Sequence, residues 1–372
     1  MSARRPARIH ELHSARFRNP IVTRALRTST DRTSEETNMT AAPASQEAGT
    51  ARKPGPVRMA AAVVIILIGV GFIAMTMINN LFAVGPAFEE MIDDFRPVLT
   101  DESLETARAD IAGLAAAGQE FQEVVAPAMA AAMGTSVEEF GAMVSTNYPD
   151  VAVGMAALPE ITATFNGLVD TLDSQQDLFA SADAIPTDDL PATTVPWIIA
   201  ISGFLAIVVG GLMFLPGRIW PILAVVLGGS VVAASFVLSL PQKAADADEL
   251  NANLKPIYTQ ELIDGATTSL GIVSAMGQQM QAEMLPDLAA QMGMTPEELG
   301  AFMGENFPAT AAAMQTMPDS LERFQGFVGV FAVNLENYET IQDVSFTPII
   351  WAMIIGAAII VLAGGAVLVL KQ

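Results

Sequence analysis

The stretch "MGTSVEEFGAMVSTNYP", Met133–Pro149, returns 159 residues later as "MGMTPEELGAFMGENFP", Met292–Pro308. The two windows agree at 8 of 17 positions, where ordinary residue frequencies give about one match. The register carries outward from there. "FRPVLT" (Phe95–Thr100) stands against "LKPIYT" (Leu254–Thr259), Pro127 against Pro286, Pro159 against Pro318, Phe165 and Gly167 against Phe324 and Gly326, and Gly69 against Gly228. The first copy then holds about seven extra residues around "SADAIPTDDLPATT", and the register resumes with Pro196 against Pro348. A passage written twice over this length indicates a structural unit present twice.

What the unit contains follows from where its apolar residues fall. Hydrophobic residues make up 52% of the 372-residue chain and charged ones only 16%, which is unlike an ordinary soluble domain. They gather in four uncharged runs, Met59–Ile78, Pro196–Leu215, Ile219–Leu240 and Pro348–Leu370. Each is long enough to cross roughly 30 Å of hydrocarbon at about 1.5 Å per helical residue. Four transmembrane helices are expected, over 58–79, 196–215, 219–240 and 348–370. The first is expected to be an anchor rather than a cleaved signal peptide, since its apolar core is long and no small-x-small site follows it.

The unit is then span, intervening domain, span. Because it crosses the membrane an even number of times, both copies point the same way, as parallel repeats about an axis along the membrane normal. Arg52, Lys53 and Arg58 precede the first run, Arg218 lies between the second and third, and Lys371 follows the fourth. Basic residues flanking spans stay on the cytoplasmic side. The sequence therefore predicts a multi-pass plasma-membrane protein with both termini cytoplasmic and segments 80–195 and 241–347 outside.

Those two segments are acidic. The first holds 20 Asp and Glu against Arg96 and Arg108, a net −18; the second holds 15 against Lys243, Lys255 and Arg323, a net −12. Such a surface disfavours nucleic acid and suits basic proteins or divalent cations, although acidity also serves solubility alone. With no cysteine in the chain, packing has to hold these segments without disulfides.

Residues 1–57 read as a disordered cytoplasmic tail, with both histidines, His10 and His13, and eight Arg within the first 38 residues. Met39 is an alternative start, and a transit peptide is an alternative reading of the Arg-rich part.

Helix signals dominate the outer segments and strand signals are nearly absent. Ser136-x-x-Glu139 and Thr295-x-x-Glu298 are capping boxes, and Pro296 suits a first helical position. "NYP" and "NFP" close the short helices that follow, because a residue before proline avoids the α region. Pro159 and Pro318 are expected to start longer helices, about 160–180 and 319–341. Thr100 or Asp101 is expected to cap a helix reaching about Val125, with Thr259 in the same part. The fold class predicted is an all-α integral membrane protein with two homologous extracytoplasmic helical bundles of about four helices each.

Sites for chemistry are few. The spans lack ionisable residues and offer only hydroxyls, among them Thr76, Ser202, Ser230 and Ser235, which argues against a transporter acting alone. Paired glycines (Gly69/Gly71, Gly210/Gly211, Gly228/Gly229, Gly364/Gly365) suit close helix packing within the bundle or against another membrane protein. Glu89, Glu90, Asp93 and Asp94 in "EEMIDDF" suggest either a hard-cation site or a solvated helix face; the second copy offers only Asp248 and Glu249. Met276, Met280 and Met284 make an i, i+4, i+8 stripe, suited to a core or to an adaptable groove for lipid or a partner helix. His and Cys are absent from the outer segments and all three Trp (Trp197, Trp220, Trp351) fall at membrane borders, which removes His-based nucleophilic sites and a stacking platform for sugars.

No catalytic, cofactor-binding or metal-ligating residue is therefore expected. The predicted function is that of a non-enzymatic membrane scaffold whose partners are the lipid bilayer and other membrane or envelope proteins. Divalent cations or lipid are further candidate partners. The alternatives are an accessory subunit of a transporter or secretion complex, and a protein that binds lipid or another apolar ligand.

Overall fold

A computed structural model of the chain describes residues 55–187 and 190–370. Residues 1–54 of the tail, with both candidate starts, Arg52 and Lys53, and Lys371 lie outside the described residues, while Pro56 and Val57, expected in the disordered tail, already belong to the first helix. Those described are helical, with a single isolated bridge between Thr187 and Leu190.

Sixteen α-helices are described. The first eight are α1 (Pro56–Ile78), α2 (Leu81–Phe95), α3 (Asp101–Glu120), α4 (Ala126–Met133), α5 (Val137–Asn147), α6 (Pro149–Ser174), α7 (Gln176–Asp183) and α8 (Thr194–Leu212). The second eight are α9 (Ile219–Val237), α10 (Leu240–Leu254), α11 (Gln260–Gln279), α12 (Leu285–Met292), α13 (Pro296–Asn306), α14 (Pro308–Val333), α15 (Leu335–Ile341) and α16 (Phe346–Val369). From α10 to α14 both ends of every helix lie 159 residues after those of α2 to α6.

Local chemistry sets these bounds. The Thr100 and Thr259 hydroxyls accept from the amides of Ser103 and Leu262, both at 3.2 Å, and open α3 and α11. Both capping boxes are closed: Ser136 and Glu139 exchange bonds of 3.0 and 3.2 Å, Thr295 and Glu298 bonds of 2.8 and 3.2 Å. A wide π turn, Phe121–Val125 or Met280–Met284, joins α3 to α4 and α11 to α12. Pro127 and Pro286 follow two residues later; a proline lacks the N–H for an α bond and its ring crowds the carbonyl four residues back, and widening the turn relieves both. Gly134 and Gly293 then end α4 and α12 with φ of +70° and +68°, where a Cβ would be strained.

Two expectations about proline need correcting. The long helices begin at Pro149 and Pro308, and Pro159 and Pro318 lie inside them. Tyr148 and Phe307 leave the α region, each with ψ of 63°, so the first proline of each segment sets the start. Across Pro159 the helix is held by the burial of Val151, Leu158, Ile161 and Phe165 on one face. These helices also end earlier than expected, at Ser174 and Val333, and α7 and α15 follow as separate turns.

Five helices are long and apolar enough to cross a membrane: α1, α6, α8, α9 and α16. They differ in what they leave exposed. Large apolar side chains such as Leu67, Phe204, Val226 and Leu362 project from α1, α8, α9 and α16. The exposed face of α6 instead carries Glu160, Thr164, Asn166 and Asp170, with Val153 its one exposed large apolar side chain.

The four helices other than α6 pair closely, α1 with α8 and α9 with α16, while α1 also packs on α16. A Cβ on Gly69 would lie 2.5 Å from the Gly203 carbonyl oxygen, and one on Gly228 at 2.5 Å from the Ala357 carbonyl oxygen. Only glycine permits so close an approach. Gly210 sits against Ala62 and Ile66 as Gly364 sits against Pro221 and Ala224, while Gly71, Gly211, Gly229 and Gly365 have open space. Each glycine pair is thus split between a packed and an open position. These contacts also correct the register of the last helix: Gly203 corresponds to Ala357 and Gly210 to Gly364, so Trp197 matches Trp351 and Pro196 matches Ile350, not Pro348.

The remaining helices form a head with one shared core. Buried Phe88, Ile111, Phe140 and Phe165 belong to the same cluster as Leu270, Met284, Leu299 and Phe331, where a separate bundle for each segment was expected. Helix α3 packs on α14 and α6 on α11, each across the two segments, as well as on the partner within its own segment. Phe165 and Phe324, equivalent residues, meet edge to face at 5.1 Å.

Candidate functional site

The head's polar groups form ties between its two segments. The carboxylate of Glu120, at the end of α3, accepts from the amides of Ala309 (3.4 Å) and Thr310 (2.7 Å) at the start of α14. At the equivalent position Gln279 accepts from the amides of Asp150 (2.8 Å) and Val151 (3.2 Å) at the start of α6. Each segment therefore caps a helix of the other, satisfying amides that would otherwise have no partner. Burial raises the Glu120 pKa, but the bonds from Thr310 and Ala309 outweigh it and hold the carboxyl below its ordinary value. The sequence gives no warning of these caps, because the capping side chain lies about 190 residues from one helix and about 129 from the other.

Further ties follow. Arg323 forks onto Asp110 with two bonds of 2.8 Å, Tyr148 donates to Asp287 at 2.9 Å, and Asn334 donates to Asp94 at 2.8 Å. Burial and the Asp287 bond push the Tyr148 phenol up to about 12. A stack of Tyr258 on Tyr338, with Phe95 and Phe331 beside it, fills one side of the head. Burial, then the nearby Asp94 charge, raises the Tyr258 phenol, whose hydroxyl has no partner.

The carboxylates of "EEMIDDF" diverge. Glu89 accepts from the Ala192 amide, Asp93 pairs with Arg96 at 2.8 Å, Asp94 holds Asn334, and Glu90 is exposed. Among the described residues no three His, Cys, Asp or Glu side chains gather as metal ligands. The methionine stripe faces the core, with Met276, Met280 and Met284 all buried.

The cations of the head are engaged. Arg96 joins Asp183 at 2.7 Å as well as Asp93, Arg108 reaches Asp173 at 2.9 Å and Asp170 at 3.1 Å, and Lys255 stands 3.9 Å from Asp343. Lys243 donates to the Ala184 carbonyl. With Arg323 on Asp110, every basic residue of segments 80–195 and 241–347 has its partner within the chain. Glu90, Glu138, Glu160, Glu261, Asp264 and Glu297 remain exposed. The surface offered to other molecules is one of carboxylates.

Three hollows are relevant. A groove of about 530 Å³ runs between α11 and α14, floored by Gly271, Ala275, Gly329 and Ala332. An apolar cavity of about 60 Å³ lies where α2, α8, α10 and α16 meet, and a polar one of about 290 Å³ adjoins it beside Arg96 and Asp183.

Comparison with family models, curated proteins and solved structures finds no match for this chain.

Proposed function

We propose that this is a non-enzymatic, multi-pass plasma-membrane protein whose acidic head recruits or organises basic partners, themselves membrane or envelope proteins. In this reading α1, α8, α9 and α16 are the four spans, and α6 is a helix of the head, since its exposed face is polar. The chain is a tandem duplication of span, head segment, span, with its halves related by an axis along the membrane normal. Both termini are cytoplasmic. Arg58, which donates to the Met213 and Leu215 carbonyls, and Arg218 then lie together on the cytoplasmic side, as the distribution of basic residues favours.

The observation that carries the proposal is the engagement of every head cation by an internal partner, which leaves unpaired carboxylates to set the outward field. The chain has no cysteine, so orientation is read by placing single cysteines at Ser136 and Gly217 and adding an impermeant maleimide to intact cells. Labelling at position 136 alone is expected; labelling at 217 alone inverts the scheme. For function, extraction in mild detergent is expected to copurify a stoichiometric basic partner that is released by salt. A partner held equally at high salt removes the electrostatic argument. A transporter or secretion subunit as that partner makes the protein an accessory component.

A further inference from the structure

The apolar cavity beneath the head has a symmetric lining. Leu81 and Leu240 open α2 and α10 at equivalent positions, Gly85 and Ala244 follow one turn later, and Pro196 and Ile350 close it from α8 and α16. It lies where the apolar helices hand over to the head, immediately after the left-handed residues Asn80 and Ser239. Its polar surface is almost nil, and at about 60 Å³ it takes a few methylenes rather than a whole chain.

The larger cavity of about 290 Å³ shares Phe88, Ile185 and Ala192 with the apolar one, so the two adjoin. Glu89, Asp93 and Asp183 line it together with Arg96. The guanidinium is spent on Asp93 and Asp183, and Lys243 reaches the Ala184 carbonyl just beyond Ile185. Three carboxylates against those two cations leave the rim negative.

We propose that the two cavities together bind a lipid of the surrounding leaflet whose head carries an ammonium group. The ammonium sits among Glu89, Asp93 and Asp183, and the first methylenes of a chain lie in the apolar cavity. The site stands apart from recruitment of basic proteins and does not depend on it.

The test uses the full chain in a maltoside detergent and a photoactivatable long-chain alkylammonium with a diazirine near its head. Crosslinks are expected on residues 81–88 or 349–350, and competition by an unlabelled alkylammonium is expected to exceed that by the matching alkyl sulfate roughly tenfold. Ala244→Leu, which fills the cavity, is expected to abolish those crosslinks. Asp93→Lys, at an exposed rim position, is expected to remove the preference for ammonium while the fold stays intact. Equal competition by ammonium and sulfate, crosslinks confined to other residues, or crosslinking unchanged in both variants would overturn the proposal.

Discussion

The groove between α3 and α6 is bridged by Arg108, which reaches Asp170 and Asp173. In the other half, the residues 159 positions later are Thr267, Gly329 and Ala332, and the groove between α11 and α14 lies open. The bounds of α2 to α6 and α10 to α14, the capping boxes, the π turns and the left-handed glycines are the same in both halves. What differs is surface chemistry laid over one frame, so the two halves can carry the same backbone and meet different neighbours. The caps differ in the same way: Glu120 binds the start of α14 through a charge, Gln279 binds the start of α6 without one.

The largest effects are expected where the halves are alike. Phe165 and Phe324 fill the centre of the head, and truncating either to Ala should cost about 3–5 kcal/mol, seen as a lowered unfolding midpoint in detergent. The two losses should be similar, because each ring packs on the other; one harmless truncation would mean that the halves do not share a core.

Next come the glycines. Gly69→Val and Gly228→Val should each cost about 1–3 kcal/mol or more through overpacking against a carbonyl, while Gly71→Val and Gly229→Val should leave the thermal midpoint near wild type. The inner and outer glycines thus give paired controls.

The caps are expected to matter less. Glu120→Ala or Gln279→Ala should each cost about 1 kcal/mol. Their pH dependence should differ. The Glu120 carboxyl has a pKa in the fold below its ordinary 4.5, so its contribution is present above that ordinary value and is lost as pH falls through the lowered one. Acid unfolding of Glu120→Gln should therefore lose a component below about pH 4.5, whereas Gln279→Glu should acquire one. Identical acid profiles for wild type and Glu120→Gln would show that the cap is not charge-assisted.

The smallest change belongs to the exposed Arg108 clamp. Arg108→Thr, copying Thr267, should move the midpoint very little, since surface ion pairs contribute little. It should nonetheless let a soluble probe attached at a cysteine placed at Ala112 move more freely, approaching the mobility expected of one at Gly271.

The helical class, the apolar runs and the starts of α3, α5, α11 and α13 could be read from the sequence, because they depend on neighbours within a turn: capping residues, a first-turn proline and uncharged stretches. The start of α6 was legible too, but two prolines ten residues apart, Pro149 and Pro159, compete for it, and only tertiary burial of Val151 and Leu158 decides. The two-residue shift of α16 was masked by a chance Pro–Pro match, although Trp197 and Trp351 carried the right register. The shared core was not legible, since period and propensity are the same whether an apolar face packs within its own segment or across to the other. The same holds for the ties of Glu120, Gln279 and Arg323 and for both cavities near Phe88, which exist only through contacts made at long range.

The reciprocal caps bear on the order in which the chain becomes a structure. When the ribosome has released α3 to α6, the amides at the start of α6 have no acceptor and the apolar faces of α3 and α6 have no cover, because Gln279, α11 and α14 are yet to be made. The first half must keep those faces uncovered until the second has been made. During that interval its bare apolar faces make it a natural client for a chaperone.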